Sequence, residues 1–346
     1  MEDYNSKINR IIERDVTKLQ EHPNCRAIQE IYKRIDHLDD VFSFNKKPRP
    51  IEGTNVPITI VLFDFEGTLY KGKGHTIDPQ IPKLFSYITP KLNAFDYDEL
   101  SLHGITGRPE AYGEGFLQSY EFMYHPNCGP HVFEKGGVIA QFGSKEPGEV
   151  DTRITDEPAR KICNQVADII RGEFPNAVEE PGKMTMVTFG SPKGMSQDDF
   201  NAYCRKLLED KKGNPEYSKL IDEIVYTSTQ TSFDIIKKGN TRKNGAEKLF
   251  KLLHERGYRG KTWENAAYFG DSEDDRLCME ASALPVTFPN AREEIQEVVK
   301  SRNGILTENG FEHGFGSVYA LSRILEHNFY HKLKRREEEG SIRFVI

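Results

Sequence analysis

The sequence lacks the marks of disulfide-rich, zinc-binding and membrane-spanning proteins. It has 5 cysteines in 346 residues, an odd number without a CxxC pair, so neither a disulfide framework nor a zinc signature is indicated. Its longest apolar stretch, Ile58 to Phe65, is far too short to span a membrane. The sequence begins without a basic region followed by an apolar run. We therefore expect a cytoplasmic protein with reduced thiols.

The charge balance also argues against a nucleic-acid partner. The formal net charge is -7, and 37% of the residues are hydrophobic and 29% charged, which is ordinary for a globular protein. An acidic chain repels phosphate backbones, so we expect neither nucleic acid nor membrane as a partner. The length suits two domains, and the sequence shows neither an internal repeat nor a low-complexity tract.

The first 50 residues predict an N-terminal helical extension. Apolar residues recur at helical spacing from Tyr4 to Phe44, with a break at His22–Asn24. A helical hairpin packed on the main domain explains this pattern, and an element that joins two copies of the chain is the alternative. The stretch Lys46–Gly53, with two prolines and a glycine, predicts a linker.

Short apolar segments that alternate with helical patterns predict a doubly wound α/β core with a parallel sheet. The segment Ile58–Phe63 is β-branched and almost fully apolar, as expected for a central strand buried on both faces. Further predicted strands are Leu100–Ile105, Ala266–Phe269, Leu284–Phe288 and Gly304–Thr307, and the helices between them include Asn244–Arg256 and Ala291–Lys300. The core is predicted to comprise residues 51–108 and 238–346.

Residues 109–237 have a different pattern, which predicts a smaller α+β domain inserted into the core. Its predicted strands are Gly137–Phe142, Met184–Phe189, Ile221–Thr227 and Thr231–Ile236, and its predicted helices are Pro158–Arg171 and Ser196–Lys211, with Ser196 as N-cap. At the end of the chain, the charged run Lys332–Glu339 predicts a solvated helix end or tail.

Two acidic clusters follow predicted strands of the core. Asp64 and Glu66 come directly after the first strand, and Gly67 permits the turn that follows. The second cluster, Gly270–Asp275, holds four acids that repel one another unless a divalent cation lies among them. A charged strand end before a turn explains the first cluster without function, and an acid-rich helix N-terminus explains the second.

Taken together, these segments resemble the motifs of the haloacid dehalogenase-like superfamily. Asp64–Thr68 is similar to its first motif, DxDGT, and Ile105–Pro109 to the ITGRP form of its second. Lys243, within Gly239–Gly245, resembles the lysine of the third motif, and Gly270–Asp275 resembles the fourth, GDSxND. Pro289–Ala291 resembles a downstream segment of the same branch, and the resemblance covers roughly residues 58–325.

An α/β insert after the second motif resembles the C2 type of cap in this superfamily. Members of that branch act on phosphorylated sugars and related metabolites, including sucrose phosphate, mannosyl-phosphoglycerate and trehalose phosphate. The resemblance therefore implies a magnesium-dependent phosphohydrolase whose partner is a small phosphorylated metabolite, with a sugar phosphate as the expected class. A phosphomutase on the same scaffold and a non-catalytic protein that binds such a metabolite are the alternatives.

The resemblance implies a role for each matching residue. Asp64 would be the nucleophile, and Glu66 would be the general acid and then the base for water. Thr106 and Lys243 would contact the transferring phosphoryl group. Ligands of Mg²⁺ would be Asp64, the backbone carbonyl of Glu66, Asp271 and Asp275.

The remaining matching residues would bind substrate. Gly67 and Thr68 would offer backbone N–H groups to the phosphate. Gly107 and Arg108 follow Thr106 in the second motif, and Arg108 either pairs with an acid or touches substrate. Asn290 either shapes a turn or assists the site.

The sequence departs from the usual motifs at three points. Glu66 stands where most phosphatases of the superfamily have aspartate, and Asp274 stands where asparagine is usual. Asn244 separates Lys243 from Gly245, which leaves three other lysines as candidates for the third motif: Lys237, Lys238 and Lys248.

Overall fold

A computed structural model of the protein describes residues 22–72, 77–122, 125–142, 153–228 and 232–341. The chain divides into two compact units: unit 1 comprises Met1–Leu100 and Trp263–Ile346, and unit 2 comprises Ser101–Thr262. The predicted insert, 109–237, lies within unit 2, which also contains residues 101–108 and 238–262 that we assigned to the core. The predicted domain boundaries stay a prediction.

Strands and helices alternate along much of the described chain. In chain order, the strands are β1 (Ile60–Phe63), β2 (Ser101–Gly104), β3 (His131–Phe133), β4 (Val138–Ala140), β5 (Arg153–Thr155), β6 (Val178–Glu179), β7 (Met186–Gly190), β8 (Ile224–Ser228), β9 (Phe233–Lys237), β10 (Ala266–Phe269), β11 (Leu284–Thr287) and β12 (Ile305–Leu306). The α-helices are α1 (Cys25–Phe42), α2 (Gln80–Ile88), α3 (Glu110–Ser119), α4 (Glu157–Glu173), α5 (Gln197–Lys212), α6 (Pro215–Asp222), α7 (Arg242–Glu255), α8 (Arg276–Ala281), α9 (Glu293–Ser301) and α10 (His313–Glu338).

Unit 1 is built on parallel strands. β1 pairs with β10, β10 with β11, and β11 with β12, all parallel. Every residue of β1, β10 and β11 is buried, which is why these segments read as continuous apolar runs without alternation. Parallel strands end at the same edge of a sheet, so this pairing brings the residues after β1 and β10 together.

The N-terminal helix α1 is anchored to α10 by a buried carboxylate. The side chain of Glu326 is only 4% exposed; it accepts a hydrogen bond from Arg34 Nη2 at 2.9 Å and lies 3.0 Å from His37 Nε2. The apolar face of α1 is buried within the chain's own structure: Ala27, Ile28, Ile31, Tyr32, Ile35, Leu38 and Val41. The helix predicted before the break at His22–Asn24 lies outside the described residues. Association of two copies through the N-terminal helices stays a prediction, although the apolar face of α1 is already covered.

The segment that leads into β1 is also held by α10. The backbone N–H of Ile51 donates to His327 Nδ1 at 3.0 Å, and His327 Nε2 donates to the carbonyl of Val56 at 2.9 Å. Both peptide groups of Ile58 bind the Asn328 side chain, whose Oδ1 accepts from the N–H and whose Nδ2 donates to the carbonyl. The predicted linker is thus fixed by side chains of a distant helix.

Unit 2 contains two antiparallel sheets, one of order β3-β4-β5 and one of order β6-β7-β9-β8. The second sheet packs one face against α4 and α5 through a core of twelve buried residues: Cys163, Val166, Ala167, Ile170, Val187, Phe189, Phe200, Cys204, Leu208, Ile224, Phe233 and Ile235. Ser196 caps α5, because its hydroxyl accepts from the backbone N–H of Asp199 at 3.1 Å.

The fold class is confirmed: an α/β core with a parallel sheet is combined with an α+β insert. Some predicted elements were wrong in extent. Helix α10 runs over 26 residues and its last part is the predicted helix end at Lys332–Glu339; the part before it was not predicted, because buried polar residues interrupt its apolar pattern. The predicted strand from Ile221 starts at Ile224, since Pro215 and the Asn214 cap favour helix α6 up to Asp222. Within the described residues no helix has the length and apolar character needed to cross a membrane.

Candidate active site

Three carboxylates meet at the carboxyl ends of β1 and β10. The two strands end in register, with Phe63 opposite Phe269, and the N–H of Asp64 donates to the carbonyl of Phe269 at 2.9 Å. One oxygen from each of Asp64, Asp271 and Asp275 lies within 4.8 Å of the other two. Asp64 is 1% exposed and Asp275 is fully buried. Asp271 is half-buried, and three carboxylates this close, two of them buried, repel one another strongly unless a cation lies among them.

Asp275 shapes the loop that carries Asp271. Its Oδ2 accepts hydrogen bonds from the backbone N–H groups of Asp271 and Ser272 at 3.2 and 3.0 Å, and from the Ser272 hydroxyl at 2.7 Å. Its Oδ1 accepts from the Tyr268 hydroxyl at 2.7 Å. The Asp275 carboxylate thus fixes the position of Asp271 relative to the end of β10.

Gly67 makes room for the Asp271 carboxylate. Its φ is +76°, in the left-handed region that favours glycine. A Cβ at this position would lie 1.9 Å from Asp271 Oδ2 and 2.2 Å from its Cγ. Both the backbone conformation and the packing therefore require glycine at this position. Because Gly67 has no side chain, the carboxylate of Asp271 can lie against the loop that follows β1.

Asn290 and His313 hold the carbonyl of Gly67 from the other side. Asn290 Nδ2 and His313 Nδ1 each lie 2.9 Å from that oxygen, and Asn290 Oδ1 accepts from the His313 N–H at 3.1 Å. The geometry supports the turn-shaping alternative for Asn290, and its predicted contact with substrate stays a prediction. His313 was missed, since nothing in the sequence near it marked it.

Glu66 and Thr68 flank Gly67 in the same loop. Glu66 is half-buried, and Thr68 is fully buried. The carbonyl of Thr68 accepts from the Ser317 hydroxyl at 2.8 Å, and its own hydroxyl has no hydrogen-bond partner among the described residues. These contacts fix the loop, and the predicted roles of Glu66 in proton transfer and of Thr68 in phosphate binding stay predictions.

Unit 2 holds the second motif in a tight turn. The N–H of Thr106 donates to the carbonyl of Val132 at 2.9 Å, which continues the direction of β2. The hydroxyl of the buried Thr106 accepts from the N–H of Arg108 at 3.2 Å, so its proton remains available for a phosphoryl oxygen. Arg108 Nη1 lies 2.7 Å from Glu180 Oε1, and its guanidinium lies 5.3 Å from the ring centre of Tyr112. Of the two roles expected for Arg108, the structure therefore shows the pairing with an acid.

A strained turn packs against this motif. Glu134, Lys135 and Gly136 have φ values of 51°, 54° and 93°, and a non-glycine residue in this region costs on the order of 1–3 kcal/mol. The buried Glu134 carboxylate holds the turn by accepting from the N–H groups of Met184 and Thr185 at 2.8 and 2.6 Å. The N–H of Lys135 donates to the carbonyl of Thr106 at 3.0 Å, so the turn places a lysine beside the second motif. Sequence reasoning missed Lys135.

The third motif lies at the start of α7. Thr241 caps this helix, because its hydroxyl accepts from the N–H of Asn244 at 3.2 Å. Arg242, the first residue of the helix, is 9% exposed, whereas Lys243 is half-buried. The role predicted for Lys243 stays a prediction, and Arg242 is the more buried cation of this turn.

The other lysines considered for the third motif have different surroundings. Lys237 pairs with Asp156 at 3.1 Å, and Lys248 donates to the carbonyl of Gly136 at 2.9 Å. The latter contact also ties α7 to the strained turn. Lys238 is exposed. Lys237 and Lys248 thus both bind groups within unit 2.

Solved structures of known proteins share this fold. A haloacid dehalogenase-like hydrolase from Bacteroides thetaiotaomicron matches with a TM-score of 0.53 and 14% identity, over 77% of this chain and 98% of that one. The sucrose-phosphatase from Synechocystis, solved with sucrose and phosphate, matches with a TM-score of 0.51 and 13% identity, over 78% of this chain and 98% of that one. The chain has the haloacid dehalogenase-like fold. No family model matches the sequence, and no curated protein matches it.

The haloacid dehalogenase-like core of this chain has a donor set that fits Mg²⁺. This ion takes six oxygen ligands at about 2.1 Å, so neighbouring ligands lie ~3 Å apart and opposite ones ~4.2 Å apart. The oxygens of Asp64, Asp271 and Asp275, all within 4.8 Å of one another, are compatible with these spacings. The missing side chain of Gly67 leaves the space that the Asp271 carboxylate occupies in this group. The residue assignments within the haloacid dehalogenase-like fold stay predictions.

Proposed function

We propose that the protein is a Mg²⁺-dependent phosphohydrolase that removes phosphate from a small phosphorylated metabolite through a phospho-aspartyl intermediate on Asp64. The observation that carries the proposal is the close group of Asp64, Asp271 and Asp275, two of them buried, at the ends of two parallel strands. A purely structural role does not explain it, because three close carboxylates destabilise a fold that binds no cation. Its likeness to a sucrose-phosphatase supports a sugar phosphate as the substrate class.

The proposed reaction has two steps. An oxygen of Asp64 attacks phosphorus, the bond to the ester oxygen breaks, and Glu66 delivers a proton to the leaving oxygen. Glu66 then takes a proton from water, which attacks the acyl phosphate and releases inorganic phosphate and the Asp64 carboxylate. Bound Mg²⁺ would neutralise charge on the phosphoryl oxygens. Thr106 would donate its hydroxyl proton to one of these oxygens, and a cation at the start of α7 would stabilise the remaining charge.

The test is phosphate release from p-nitrophenyl phosphate and from a panel of sugar phosphates, with Mg²⁺ and with excess chelator. We expect release that requires Mg²⁺ and falls by orders of magnitude in Asp64→Asn, while circular dichroism shows an unchanged fold. Full activity in the chelator or in a folded Asp64→Asn variant would reject the proposal. Phosphorylated enzyme that persists with little net release of phosphate would favour a phosphomutase instead.

We propose a cytoplasmic location from the sequence alone.

A further inference from the structure

Helix α10 begins at a strained residue. His313 has φ of +50°, in the left-handed region that residues other than glycine rarely adopt. Glycine would adopt this backbone without strain, so a histidine at this position is explained best by what its side chain binds. Its Nδ1 lies 2.9 Å from the carbonyl oxygen of Gly67. Because a carbonyl oxygen only accepts, this nitrogen carries the proton and donates the hydrogen bond.

The start of α10 lies directly against the loop that follows β1. The hydroxyl of Ser317 donates to the carbonyl of Thr68 at 2.8 Å. A Cβ on Gly314 would lie 2.5 Å from the carbonyl oxygen of Leu69, so the helix backbone itself touches the loop. His313 adds a contact to the loop residue that lies nearest in sequence to the two acids of the first motif.

The two acids of this loop are held by different parts of the structure. The N–H of Asp64 donates to the carbonyl of Phe269 at 2.9 Å, so the parallel sheet fixes the backbone of the proposed nucleophile. Glu66 lies two residues further on, after the paired part of β1 has ended. Its backbone is therefore positioned by the turn that it enters and by the groups that hold that turn.

Gly67, the residue after Glu66, is anchored through both of its peptide groups. Its N–H donates to the carbonyl of Tyr70 at 2.7 Å, which closes the turn within the loop. Its carbonyl accepts from the side chains of Asn290 and His313, which lie after β11 and at the start of α10. These two side chains tie the turn to other elements of unit 1. Loss of either contact should therefore displace the proposed general acid more than the proposed nucleophile.

We propose that His313 is a positioning residue for proton transfer, which holds the Gly67 carbonyl and thereby keeps the Glu66 carboxyl in place beside the leaving oxygen of the substrate. The inference rests on the proposed phosphohydrolase function, in which Glu66 protonates that oxygen. His313 touches no reacting atom in this role. A catalytic group that is misplaced by about 1 Å can lose on the order of 100-fold in rate, so the loss of one anchor should be measurable.

The test compares two phosphate esters in variants of the full-length protein. His313→Asn should retain the contact, because asparagine tolerates the left-handed backbone and its Nδ2 can donate as Nδ1 does. His313→Asp has the same shape but only accepts when it is ionised, and His313→Gly keeps the backbone without a side chain. These last two variants should lower kcat/KM about 10-fold or more for phenyl phosphate, whose leaving oxygen needs a proton, and less than about threefold for p-nitrophenyl phosphate, whose leaving group needs little help.

Asn303→Gly is the matched control. Asn303 follows α9 with φ of +55°, and the residue is exposed, so this variant replaces another left-handed residue with glycine. This variant and His313→Asn should keep the ratio of the two kcat/KM values within about threefold of the wild-type ratio. Glu66→Gln is the reference, and it should depend on the leaving group at least as strongly as His313→Gly does. Urea unfolding shows whether each variant is folded.

Each outcome decides the inference. Equal losses on the two esters in His313→Gly and His313→Asp, an unchanged ratio in both, or a loss in His313→Asn as large as that in His313→Asp would overturn it while the phosphohydrolase proposal stands. If Glu66→Gln loses equally on both esters, or the wild type hydrolyses only p-nitrophenyl phosphate, Glu66 delivers no proton, and the inference falls with that assignment alone. If His313→Gly does not fold, the isosteric pair His313→Asn and His313→Asp decides. A wild type that releases phosphate from no ester would reject the phosphohydrolase proposal first.

Discussion

Replacing Gly67 with alanine tests the proposed geometry of the two acidic loops. The added Cβ would lie 1.9 Å from Asp271 Oδ2, in a backbone with φ of +76°. A left-handed alanine costs ~1 kcal/mol, and overpacking a buried site costs a further 1–3 kcal/mol, so we expect a loss of roughly 2–4 kcal/mol. Because the Asp271 carboxylate must move away, the stabilisation of the protein by Mg²⁺ should also weaken.

Gly310→Ala is the matched control for this substitution. Gly310 also has a positive φ, +95°, but no atom lies within 4 Å of its added Cβ, so it measures the backbone cost alone. Urea unfolding in chelator gives the stability of each variant, and the rise of the melting temperature with Mg²⁺ reports binding. If Gly67→Ala loses no more stability than Gly310→Ala and binds Mg²⁺ like the wild type, the contact between Gly67 and Asp271 is not as described.

The clash also predicts an interaction between the two positions. In chelator, Asp271→Ala should restore part of the stability that Gly67→Ala loses, because it removes the atoms that the new methyl group meets. A double-mutant cycle should give a coupling of roughly 0.5–3 kcal/mol. Strict additivity would contradict the steric explanation.

Three further predictions concern single contacts. Asn290→Ala removes one of the two side chains that bind the Gly67 carbonyl and also removes the Oδ1 acceptor of the His313 N–H, so urea unfolding should show a loss of about 1–3 kcal/mol, with a lower kcat. If Lys243 contacts the phosphoryl group as predicted, Lys243→Met should lower kcat more than Arg242→Met does; the reverse order in steady-state kinetics would assign that role to Arg242, the more buried cation. Burial lowers the pKa of His327 from 6.5 to about 4, so the unfolded chain binds more protons in this window and stability should fall by roughly 2 kcal/mol from pH 7.5 to pH 5. Urea unfolding at the two pH values should show this loss, and His327→Gln should weaken it.

The sequence predicted those parts of the fold that follow from local patterns. The buried run at β1, followed by Asp64, and the second acidic cluster after β10 were enough to predict parallel strands with carboxylates at their ends. Strand ends of a parallel sheet meet at one edge, and the resemblance to the superfamily's motifs implied that the two acidic clusters form one site. The prediction that Asp64 and Asp271 lie close together agrees with the structure.

Other features depend on contacts between distant residues and left no local pattern. His313 reaches the Gly67 carbonyl from the start of α10, and only the folded chain brings the two together. Lys135 has an ordinary sequence context, and its importance appears only with its φ of 54° and its ion pair with Asp234. The length of α10 was underestimated because Glu326 is buried in an ion pair, which periodicity counts as an exposed polar residue.

The pairing of β1 with β10 has a consequence for how the protein is made. Ile60 lies opposite Ala266, so about 200 residues separate the two partners along the chain. At a synthesis rate of about 5–20 residues per second, roughly 10–40 seconds pass between the translation of β1 and that of its partner β10. All of unit 2 is synthesised in that interval. A newly made chain therefore carries, during that interval, a fully apolar strand that lacks its partner β10, and a strand edge without its partner is prone to aggregate.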